Sequence, residues 1–96
     1  KEVASSLLPT HFRLGQNYPN PFNPSTTISF DLPTRNAVSL KVYDILGKEV
    51  MTLADGEYSA GSYNITADLS RLASGMYLYR LKTLSFTDVK KMVITK

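Results

Sequence analysis

Cysteine and tryptophan are absent from the 96 residues, and histidine occurs once, as His11. Without cysteine there is no disulfide framework, no thiolate nucleophile and no cysteine metal site. A Ser-His-Asp site would have to recruit His11, and no nucleophile-elbow pattern accompanies it. The five glycines stand apart, so no glycine-rich loop exists to cradle phosphate. Long apolar runs are also missing. The longest, Met76-Tyr77-Leu78-Tyr79, stops at Arg80, whereas a helical bilayer span needs about 20 apolar residues. No block of like charges occurs. The 11 basic residues are spread from Lys1 to Lys96 and the net charge is only +3, so nucleic-acid binding is not expected. No signal peptide is visible and the chain opens on Lys1. The expectation is a piece of a longer protein or a processed product.

Acidic pairs offer little more. Asp55 and Glu57 flank Gly56, and Asp44 lies in another turn. A calcium site needs about 6–8 oxygen ligands, and no EF-hand pattern is present. These carboxylates read as solvated turn acids, and the expectation is no catalytic residue, no metal and no cofactor.

A 43% hydrophobic share is enough for one folded domain with a modest core. Residues 1–10 show no clear period, carry Ser5, Ser6 and Pro9, and read as the end of a linker from an upstream domain; residues 11–96 read as the domain. Ile28, Phe30 and Leu32 alternate with polar neighbours, as do Val38, Leu40 and Val42, and Tyr63, Ile65 and Ala67. Period two marks strands with one face in a core. Further runs cover Glu49 to Leu53, Met76 to Lys82 behind Gly75, and Phe86 to Thr95. Turn chemistry separates them at Pro33 to Asn36, at Asp44 to Gly47, at Asp55-Gly56 and at Ala60-Gly61. Leu69 to Ser74 has room for a single helical turn. The pattern predicts an all-β, immunoglobulin-like antiparallel sandwich of about seven strands. Its predicted core contains Phe30, Leu32, Leu40, Val42, Ile65, Tyr77, Tyr79 and Leu81.

Leu72-Ala73-Ser74-Gly75-Met76-Tyr77-Leu78-Tyr79 has the layout of a tyrosine corner, in which a tyrosine near the start of the sixth strand bonds back to upstream backbone. Tyr77 fits that role, with Gly75 before it. Tyr79 then takes the place of the second disulfide cysteine of antibody domains and fills it with a ring. With Tyr77 and Tyr79 in the core and no tryptophan, the tyrosines do not form a sugar-binding platform.

Asn17-Tyr18-Pro19-Asn20-Pro21-Phe22-Asn23-Pro24-Ser25 holds three of the five prolines. Each fixes φ and restricts the residue before it. One reading is a rigid entry loop with Tyr18 and Phe22 packed on the end of the sandwich. The other is a preformed recognition patch of Asn20, Pro21, Phe22, Asn23 and Pro24, which loses little entropy on binding. Lys90 and Lys91 adjoin the last strand and point to opposite faces. They read either as protection of a strand edge or as a charged contact for a partner.

The block Leu14-Gly15-Gln16-Asn17-Tyr18-Pro19-Asn20-Pro21-Phe22-Asn23-Pro24-Ser25-Thr26-Thr27-Ile28 is followed by Val42-Tyr43-Asp44-Ile45-Leu46-Gly47-Lys48-Glu49-Val50. Then come Ala73-Ser74-Gly75-Met76-Tyr77-Leu78-Tyr79-Arg80-Leu81 and Lys90-Lys91-Met92-Val93. In this order, over about residues 12–96, the blocks resemble the C-terminal sorting domain of type IX secretion cargo (Por secretion tail, type A). That family is also similar to the Ig-like domain of the flagellar hook-capping protein, which shares the strand-turn-strand block around Asp44 and Gly47. The resemblance implies a noncatalytic targeting domain on exported proteins of Bacteroidetes-type bacteria. It implies passage through the periplasm, recognition by an outer-membrane translocon, and removal by a surface sortase. The cargo then reaches the cell surface or medium. A second reading is an accessory Ig-like module, for carbohydrate or cell-surface binding, retained on a larger extracellular enzyme.

Overall fold

The computed structural model describes residues 8–95; most of the expected 1–10 linker lies outside the described residues. Seven strands follow one another: β1 (Arg13–Leu14), β2 (Ser25–Leu32), β3 (Asn36–Tyr43), β4 (Glu49–Tyr58), β5 (Gly61–Asp68), β6 (Gly75–Lys82) and β7 (Thr87–Ile94). They form a three-stranded sheet, β1-β2-β5, and a four-stranded sheet, β4-β3-β6-β7. Every strand pair is antiparallel, and no helix occurs among the described residues. This is the expected all-β sandwich. Its fourth strand lies beside the third instead of the fifth, unlike the constant-type immunoglobulin order.

The period-two runs set the facing. Ile28, Phe30, Leu32, Leu40, Val42, Tyr79 and Leu81 are each fully buried, and Tyr77 and Val38 nearly so. Ile65 departs from its predicted core place. It packs against the core but stays half-buried, because β5 is the outer strand of its sheet and β4, opposite, is distorted. β4 carries register shifts opposite Leu40/Lys41 and Val42/Tyr43. Such bulges bend a strand and increase its twist. β4 also continues through Asp55-Gly56, where a break was expected, so Asp55 and Glu57 are exposed strand residues. Glu57 faces Arg35 at 3.1 Å.

Leu69 to Ser74 makes one hydrogen-bonded turn, Leu72 N–H to Leu69 C=O at 3.0 Å, started by Asp68 Oδ1, which accepts the Ser70 N–H at 3.0 Å. Asp44 works the same way in the β3–β4 turn, where its Oδ1 accepts the N–H groups of Leu46 and Lys48, each at 2.9 Å. Gly47 follows with φ +86°, a conformation that costs other residues steric strain. Gly75 opens β6 beside this turn.

Candidate recognition surface

Residues 12–22 run parallel to β7 and are stitched to it. Phe12 stacks on Phe86 with centroids 5.2 Å apart. Further along, Gln16 Nε2 donates to Lys91 C=O at 2.7 Å, and the Val93 N–H donates to Asn20 Oδ1 at 3.0 Å. Phe22 and Ile94 form a parallel bridge, with Phe22 N–H to Val93 C=O at 3.1 Å and Thr95 N–H to Phe22 C=O at 2.8 Å. The other side of this segment remains on β2: Gly15 N–H reaches Ser29 C=O, and Tyr18 exchanges both backbone bonds with Thr27. The entry segment thus closes the gap between the two sheets.

A buried polar clasp sets the alignment. The Tyr79 hydroxyl, fully buried, donates to Gly15 C=O at 2.7 Å and accepts the Asn17 N–H at 2.8 Å. Burial pushes its pKa up to about 12; the Asn17 N–H pulls the other way and the Asp88 charge adds to the rise. Asn17, itself buried, sends Nδ2 to Thr26 Oγ1 at 3.1 Å and to Pro19 C=O at 3.2 Å. Thr26 Oγ1 donates to Pro19 C=O at 2.8 Å, and Gln16 Nε2 reaches Asn17 Oδ1 at 2.7 Å. Among the described residues no buried side-chain polar atom lacks a partner. Such closed networks specify one arrangement, because a misaligned member is left desolvated and unpaired.

The predicted recognition residues divide accordingly. Asn20, Pro21 and Asn23 are exposed and Pro24 is half-exposed. Phe22 is 2% exposed and belongs to the core, so its ring supports the loop from beneath and is not offered to a partner. Tyr18, expected to pack on the sandwich, is 80% exposed. Lys90 and Lys91 lie beside the stitched segment on opposite faces of β7. Lys90 follows Asp88 and Met92 on the inner row, 4.0 Å from Asp88 Oδ2. Lys91 stands outward, with its backbone C=O taken by Gln16. Tyr77 closes the expected corner, donating to Ala73 C=O at 2.8 Å. His11 is exposed and meets Thr10 Oγ1 through Nδ1 at 2.9 Å.

Sequence reasoning missed Gln16, Asn17 and Thr26. A signal existed for Thr26, which shares the inward parity of Ile28, Phe30 and Leu32; a hydroxyl in a core-facing slot asks for a buried partner. Gly15 had none: a Cβ there would stand 2.5 Å from Ser29 Oγ and 3.2 Å from Ser29 C=O, an approach that only tertiary structure creates.

The exposed prolines and asparagines, the clasp apart from Gly15, and all of β7 fall inside one stretch of family likeness. The family model described as the secretion system C-terminal sorting domain matches residues 16–95. No curated protein matches the chain. The chain belongs to the C-terminal sorting domain family of type IX secretion.

Proposed function

We propose that this domain directs a cargo protein, joined to its N-terminal side, through the type IX translocon to the cell surface or medium, without chemistry of its own. In this reading the cargo crosses the periplasm first, the translocon recognises the folded domain, and a surface sortase acts afterwards. The observation that carries it is the family match over residues 16–95. That match gives no support to a retained accessory module. The stitched segment adds a physical rationale. Asn20, Pro21, Asn23 and Pro24 come beside the strand that carries Lys90 and Lys91 only when the domain is folded, so the machinery can read folding and identity together.

The test fuses the 96-residue chain behind a periplasmic reporter in a type IX-competent cell. Surface delivery of the reporter is the expected result, and retention in the periplasm would overturn the reading. Charge reversal of Lys90 and Lys91, with folding checked by thermal melting, then tests the lysines. Normal export of the folded variant removes them from the recognised surface.

A further inference from the structure

The outer faces of the two sheets differ in kind. On the β2–β5 sheet the outward residues are Ser25, Thr27, Ser29 and Asp31, paired with Asp68, Thr66, Asn64 and Ser62. All are polar, and Asp31 is already bound to Arg13 at 2.9 Å. This is the ordinary solvent face of an antiparallel sheet. On the β6–β7 face the outward rows read Met76 with Val93, Leu78 with Lys91, Arg80 with Val89, and Lys82 with Thr87. Four of these eight side chains are apolar, three are cationic and none is acidic. Met76 and Val89 are 45% and 47% exposed. Acids border this face from β4, where Glu49 is tied to Lys41 at 3.2 Å and Asp55 lines a hollow with Lys82, and from the β3–β4 turn, where Asp44 is engaged by the Leu46 and Lys48 N–H groups.

The centre of the face is already ordered. Arg80 lies 5.0 Å from the centroid of the Tyr43 ring and donates to the Tyr43 hydroxyl at 2.7 Å. Beside them is a shallow hollow of about 240 Å³ lined by Tyr43, Gly47, Leu78, Arg80 and Val89. A second hollow joins Met76 to Ile45, which the clasped Asp44 turn holds 68% exposed. An arginine and a tyrosine fixed before binding, with apolar contacts around them, are the anchors that dominate protein interfaces.

Resting on the sorting role proposed above, we infer that the outer face of β6 and β7 docks a protein surface that sets carboxylates around an apolar centre. Charge selects that occupant. A second copy meeting this face about a two-fold axis would place Arg80 and Lys91 against their own kind. Anionic membranes are ordinarily held by clusters of about four to eight basic residues, whereas β6 and β7 present three, interleaved with apolar side chains.

The test uses the same reporter fusion of the full chain. Arg80→Glu and Val89→Glu are expected to cut surface delivery at least tenfold while the domain still melts cooperatively. Thr66→Glu, on the opposite face, should stay within twofold of the parent. A photoreactive phenylalanine placed at Val89 should crosslink to a protein during export, and one at Thr66 should not. Should Val89→Glu unfold the domain, Lys91→Glu at an exposed position takes its place. Folded face variants exported like the parent would overturn the inference and leave the sorting role standing; a parent fusion that is not exported would overturn both. Two further outcomes also overturn it. One is binding of the chain to phosphatidylglycerol vesicles that Arg80→Glu abolishes, which assigns the face to lipid. The other is self-association in sedimentation that Val89→Glu abolishes, which assigns it to a second copy.

Discussion

Between β1 and β7 the gap between the sheets is closed by directional polar groups, whereas between β4 and β5 it is closed by rings. On the first side stand the Tyr79 hydroxyl, the Asn17 amide and the Gln16 and Asn20 side chains, each with a named partner. On the second, Phe30 stacks on Tyr63 at 5.2 Å, and Tyr58 meets both rings edge-on at 6.0 and 5.1 Å. Ring pairs of this kind contribute about 0.5–1.5 kcal/mol each and tolerate small displacements. A buried donor or acceptor tolerates none, since losing its partner costs about 1–3 kcal/mol. The aromatic side therefore supplies adhesion, and the polar side fixes how the entry segment aligns with the final strand. That alignment puts the proline-asparagine loop beside the C-terminal end of β7.

The largest expected effect breaks the polar side at its apolar foot. Phe22→Ala empties a buried site beneath the loop and should destabilise the domain by about 3–5 kcal/mol in urea unfolding. A loss below about 1 kcal/mol would mean that the loop does not depend on that anchor. Next comes Tyr79→Phe, which removes one hydroxyl and leaves the Gly15 C=O and Asn17 N–H without their partner. A loss of about 2–3 kcal/mol is expected. The same tyrosine has an alkaline signature. Its pKa is raised to about 12 in the folded state against about 10 in the unfolded chain. Below pH 10 both states keep the proton and stability is unaffected. Between pH 10 and 12 the unfolded state releases it first, so stability falls as pH rises, by roughly 2–3 kcal/mol in all. The difference between the parent and Tyr79→Phe isolates this slope; parallel curves through that window would exclude it.

The legible part of the fold was the part governed by period. Leu40 and Val42, like Phe30 and Leu32, alternate strictly because an antiparallel strand has one wet and one dry side, and all four are buried as read. Tyr77 was legible because the corner bond spans four residues, from its hydroxyl to Ala73. The entry loop was legible only as an unusual composition. Its partners lie more than 60 residues away: Asn17 meets Tyr79, and Asn20 and Phe22 meet Val93. No local pattern encodes such a separation, which explains why Phe22 reads either as packed on the sandwich or as part of a recognition patch, and why Tyr18 reads as packed beside it. Asp55-Gly56 read as a break because glycine after aspartate is a turn signal, yet β3 pairs with both residues and tertiary pairing overrides local preference.

The smallest expected effect sharpens the contrast by deleting the same atom on the aromatic side. The Tyr63 hydroxyl donates to Ser59 C=O at 2.7 Å, four residues back, in a geometry that parallels Tyr77 with Ala73. Unlike Tyr79, it does so at the edge of the sandwich, where the bond is exposed. In Tyr63→Phe the freed Ser59 carbonyl turns to water, and the ring keeps its contacts with Phe30 and Tyr58. The expected loss is about 0.5 kcal/mol, the low end for a solvent-replaceable hydrogen bond. Equal losses for Tyr63→Phe and Tyr79→Phe would show that the two sides do not differ in how they hold the sandwich. A loss at Tyr79 several times larger, with an alkaline slope that survives in Tyr63→Phe and vanishes in Tyr79→Phe, would establish that the alignment of the entry segment rests on one buried hydroxyl.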